Sequence, residues 1–112
     1  LRQITRDHSF LQDLIDDGKL TAQEAAVHPM VHVLDQCVGC ADAGPDGGSF
    51  ALVAEDVILL CTDGVYRSLG EEEIKRVLSP ALEASDQVGR LLDKAIQAGT
   101  SDDATAVIAV FK

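Results

Sequence analysis

Two carboxylate positions stand out from an acidic background. Asp63 directly follows the chain's most hydrophobic stretch, Val57 to Cys61, and precedes Gly64, whose freedom predicts a sharp turn. Asp102 and Asp103 stand immediately before a second strongly apolar run, Ala104 to Phe111. If the two runs are neighbouring antiparallel strands, the exit of one meets the start of the other and the acids lie side by side. Carboxylates crowded at a strand edge repel unless a cation sits between them. Oxygen ligands of this kind suit Mg²⁺ or Mn²⁺. The competing reading is an Asp-Gly turn and an ordinary helix-to-strand loop, and spacing alone favours it, because Asp-Gly turns are common.

A second constellation is His28, His32, Cys37 and Cys40, spaced H-x₃-H-x₄-C-x₂-C. All four are legitimate zinc ligands. The stretch between the pairs is short, however, and His32 to Val38 reads as a strand, which sends alternate side chains to opposite faces. A small zinc-binding module is therefore the lesser reading, and one tightly bound zinc per chain would favour it. A Cys37/Cys40 redox pair is weaker still, because this C-x-x-C does not open a helix. Met30 reads as a packing residue, and His8 as either a structural or a functional histidine.

The elements that must position these residues come from 112 residues carrying a net charge of −10. That length suits one small domain. With 46% apolar residues and no Trp, the core must be mostly Val, Leu, Ile and Ala. A surface this acidic argues against nucleic acid and anionic membranes as partners. The longest apolar run is too short to span a bilayer, and no basic, hydrophobic leader opens the chain, so no secretion signal is expected. Three cysteines, one of them inside an apolar run, predict reduced thiols and a cytoplasmic location.

Leu1 to Thr5 alternates like the end of a strand. Ser9 with Gln12 and Thr21 with Glu24 form capping-box patterns that open two short helices, the first ended by Asp17-Gly18 and the second stopped by Pro29. Neither has the basic face of a DNA-reading pair. Val31 to Val38 reads as a strand and Ala41 to Ser49 as a loop, with Asp46-Gly47-Gly48 a turn within it. Phe50 to Val53 and Val57 to Cys61 read as a hairpin. Helices are expected over Glu71 to Leu78 and over Ser85 to Ala98, where Val88, Leu91, Leu92, Ala95 and Ile96 share one face. Ala104 to Phe111 is apolar on both faces, so it is expected to be a central, covered strand.

Four strings then resemble motifs of one family, in its order. Ile4-Thr5-Arg6-Asp7-His8-Ser9 resembles "LTRDHS", and His28-Pro29 with Val33-Leu34 and Gly39 resembles "HP…N-V-L-T-R-x-x-G". Leu59-Leu60-Cys61-Thr62-Asp63-Gly64-Val65 resembles "LLCSDGL", and Gly99-Thr100-Ser101-Asp102-Asp103-Ala104-Thr105 resembles "G-x-x-D-N-x-T". The chain thus resembles the C-terminal half of a metal-dependent protein serine/threonine phosphatase of the type 2C class, in its bacterial branch.

The resemblance implies an α+β fold, part of an α-β-β-α sandwich with mainly antiparallel sheets and its N-terminal half missing. It implies Asp63 and Asp102 as metal ligands in a binuclear Mg²⁺ or Mn²⁺ site. A metal-activated water would hydrolyse phosphoserine or phosphothreonine in a protein substrate, with no covalent intermediate. Residues 9–38 would form a flap beside that site. No catalytic residue beyond the ligands is identifiable in this half. Departures are Asp103 for the family's Asn, Gln36 for its Arg, His32 for its Asn, and Arg67 where an acid often follows. The family's phosphate-binding Arg, metal-bridging Asp, general-acid His and "GDSR" strand are not in the sequence. The chain alone is therefore expected to be inactive, needing a partner half or a swapped dimer. The alternative is a non-catalytic, phosphatase-like binding or regulatory fragment.

Overall fold

Local capping starts the first two helices. The computed structural model describes residues 1–112, which form two bodies, 2–49 and 50–112 with Leu1. In the first, the Ser9 hydroxyl accepts from the Gln12 N–H (3.2 Å) at the head of α1 (Phe10–Asp16). Thr21 and Glu24 close a full capping box on α2 (Ala22–Ala26), as their spacing predicts. Leu11 and Ala25 are the buried residues of these helices. Arg6 grips the outer face of α1 through Asp13 and Asp16.

No strand forms over Val31 to Val38. The segment turns repeatedly, with the Val31 N–H on the His28 carbonyl and the Val33 N–H on the Met30 carbonyl. Its only ladder-like contact is an isolated bridge between Ser9 and Leu34. β-rich composition is not enough, because a strand needs a partner along its length. Leu1 to Thr5 is likewise not a strand. Cys37 and Cys40 are joined in a disulfide, which corrects the expectation of three reduced thiols; only Cys61 is free. Asp46 is not in a turn; its carboxylate pairs with His8 Nε2 at 2.9 Å.

The second body is built on β1 (Val57–Cys61) and β2 (Ala106–Val110), paired antiparallel from Val57↔Val110 to Cys61↔Ala106. The expected hairpin partner, Phe50 to Val53, forms no strand. The chain turns instead at Glu55 (φ 74°), with the Val53 N–H on the Asp56 carboxylate (2.8 Å). Phe111 then takes the positions beside Glu55 and Asp56, donating to the Asp56 carbonyl and accepting from the Glu55 N–H.

Two helices cover one face of this sheet, α3 (Asp63–Val77) and α4 (Ala84–Gln97). Leu59 and Ile108 pack on Ile74, Val77 and Leu91, the buried centre. The other face stays open, with Leu60 61% and Val107 58% exposed, so the closing strand is covered on one side only. α3 is broken at Gly70 (φ 71°, ψ 168°). Its second part matches the helix expected over Glu71 to Leu78, and its first part begins at Asp63-Gly64, where a turn is expected from the sequence. α4 matches its predicted span closely and stops before Gly99 (φ 80°). Buried Gln87 accepts from the Ser79 N–H and donates to the Leu82 carbonyl, 3.0 Å each, fixing the α3–α4 connection.

Candidate metal centre

The register of β1 against β2 brings the segment after Cys61 next to the segment before Ala106. Thr62 ties them together. Its N–H donates to the Thr105 carbonyl (3.0 Å), and its hydroxyl donates to the Asp103 carbonyl and accepts from the Thr105 N–H, 3.0 Å each. Thr62 also occupies the N-cap of α3 but makes no side-chain cap bond, because its hydroxyl is engaged across the strands. Sequence reasoning passed over this residue; its place between the apolar run and Asp63 was the available signal.

Asp63 and Gly64 are the first residues of α3 and not a turn. What Gly64 supplies is space. A Cβ there would lie 2.4 Å from the Asp103 carbonyl oxygen and 3.2 Å from that of Asp102. The head of α3 is thus in backbone contact with the 102–103 segment, as the antiparallel arrangement predicts. Asp63 lies at the positive end of a helix, where negative charge is favoured, and Arg67 Nε approaches it at 3.7 Å. Asp102 accepts from the Asp103 N–H (2.8 Å), and its own N–H reaches the Thr100 hydroxyl (3.4 Å). At the end of β1, burial pushes the Cys61 thiol above its ordinary pKa.

Two partly or fully exposed carboxylates on touching segments suit a hard divalent cation, but as part of a larger ligand set. No group of three or more His, Cys, Asp or Glu is arranged to hold a metal. His28, His32, Cys37 and Cys40 are likewise not gathered as a metal site. Cys37 and Cys40 are bonded to each other, and His28 Nδ1 accepts from the Met30 N–H (3.1 Å).

No protein-family model matches the chain. Over 107 residues it is 32% identical to the protein phosphatase PhpP of Streptococcus pneumoniae, covering 95% of this chain and 44% of that protein. It is 32% identical over 109 residues to the serine/threonine protein phosphatase PstP of Mycobacterium tuberculosis, covering 97% and 21%. Among solved structures, the S. agalactiae serine/threonine phosphatase superposes with a TM-score of 0.89 at 32% identity, over 97% of this chain and 46% of that one. The catalytic domain of PstP in complex with two manganese ions gives 0.80 at 29% identity, over 98% and 45%. The fold, α+β with a small antiparallel sheet, is that of part of a bacterial serine/threonine phosphatase domain. More particularly, the chain is homologous to the C-terminal part of type 2C protein phosphatases. It spans less than half the length of these relatives.

Proposed function

We propose that this chain supplies Asp63 and Asp102 to the Mg²⁺ or Mn²⁺ site of a protein serine/threonine phosphatase, the remaining ligands coming from outside these residues. The observation that carries the reading is the contact of Gly64 with the Asp103 carbonyl, which seats the two acid-bearing segments together. Such ions, when bound, activate a water for attack on phosphorus. The chain's own part is to hold two anionic ligands at one end of the sheet, with Arg67 balancing Asp63. Residues 9–38 act as the flap in this reading, and phosphoserine or phosphothreonine proteins are the substrates. No helix is long and apolar enough to cross a membrane. The open face at Leu60 and Val107 supports association with a complementary half-domain or a second copy.

The test joins the N-terminal portion of PhpP to this chain and assays an aryl phosphate with Mn²⁺. The isolated chain is expected to be inactive and the chimera active. Asp63→Ala and Asp102→Ala should each lower the chimera's rate by roughly 100-fold or more, the scale at which even second-shell changes register. A well-folded chimera with no activity would instead favour the second reading, a non-catalytic binding fragment.

A further inference from the structure

We propose that Cys37 and Cys40 form a reversible thiol–disulfide exchange site in the first body, with a dithiol as its redox partner. This goes beyond the phosphatase reading and does not depend on it.

Three observations converge. Both cysteines are exposed, so an external thiolate can reach either sulfur. The disulfide encloses only Val38 and Gly39, with the Cys40 N–H on the Cys37 carbonyl and Gly39 at φ 95°. A cross-link over so short a loop restrains the unfolded chain little, which makes it a poor structural staple. Finally, the loop is held at both ends by bonds that do not involve sulfur. Asp35 donates its N–H to the His8 carbonyl (3.2 Å), Gln36 Oε1 accepts from the Gly44 N–H (2.9 Å), and His8 pairs with Asp46. The body can therefore stay folded with the bond open or closed.

In the exchange, a thiolate of the reductant attacks one cysteine sulfur, the S–S bond breaks, and the other cysteine leaves as a thiolate that takes up a proton. The reductant's second thiolate then attacks the mixed disulfide and releases the first cysteine. One disulfide and one dithiol become one dithiol and one disulfide, with two electrons transferred. No helix begins at Cys37 to stabilise a thiolate, so the pair is a target of exchange and not a catalyst of it. Cys61 lies in β1, half-buried, with burial raising its thiol pKa, and stands outside this chemistry.

The experiment alkylates the native chain with N-ethylmaleimide before and after dithiothreitol, and maps the labelled peptides. Cys37 and Cys40 should be unlabelled before reduction and both labelled after it, with the far-UV circular dichroism unchanged. Cys37→Ser should leave Cys40 able to take up one glutathione from glutathione disulfide, and Cys37→Ser/Cys40→Ser should abolish that adduct. Labelling of both cysteines in untreated, air-exposed protein would overturn the proposal. So would a disulfide that yields to dithiothreitol only in denaturant, or a Cys37→Ser chain that takes up no glutathione.

Discussion

Gly64 earns its place through what it leaves out. Any side chain there meets a backbone carbonyl, not a flexible tip that could move aside, so the 102–103 segment must shift. Gly64→Ala is expected to destabilise the chain by roughly 1–3 kcal/mol in chemical denaturation, the usual scale of overpacking. Because the shift occurs between the two acid-bearing segments, it should also weaken Mn²⁺-dependent activity of the chimera. A variant as stable as the parent would show that the close approach is not real. The position was legible as glycine-requiring, yet for the wrong reason. Asp63-Gly64 fits a turn by local statistics, and only the tertiary contact shows a helix start packed against a loop.

At the scale of elements, what was legible depended on how local the cause was. Ser9, Thr21 with Glu24, and the apolar face of α4 were readable because capping and helical periodicity involve residues three or four apart. Val31 to Val38 and Phe50 to Val53 were misread because strand formation depends on partners that composition does not name. β1 and β2 were legible as strands, and the antiparallel pairing that the acid arrangement was conditional on is the one that forms. The break at Gly70 was not legible, and the cross-strand bonds of Thr62 were signalled only by its place between β1 and Asp63.

Ion pairs between elements bear on acid stability. Glu73 on α3 is held below its ordinary pKa first by Lys94 on α4, and Glu24 by the Thr21 side chain in its capping box. With folded pKa values depressed, the unfolded chain binds protons more readily, so stability falls as pH falls. Thermal midpoints should be level from neutrality down to about pH 5, then drop below the ordinary carboxylate range near ~4.3. Glu73→Gln should flatten part of that drop; an unchanged profile would remove the pair from the account.

For the molecule as a whole, the asymmetry of the sheet matters most. Leu59 and Ile108 belong to the packed side, whereas Leu60 and Val107 look outward. Leu91→Ala, at the buried centre on which Leu59 and Ile108 pack, is expected to cost roughly 2–5 kcal/mol. Leu60→Thr with Val107→Thr should cost little in the isolated chain while reducing concentration-dependent association, read by analytical ultracentrifugation. If the double variant unfolds the chain, or associates as strongly as the parent, the outward face is not a contact surface.

The hydroxyl bond from Thr62 to Asp103 joins residues 41 apart. The helices between them can form early from local contacts, but the strands meet only after a long loop has closed. The two acid-bearing segments are therefore strangers for most of the folding reaction and meet at its end. An ion that binds only the finished pair would act as a latch on this late step, slowing reopening of the sheet more than it speeds assembly.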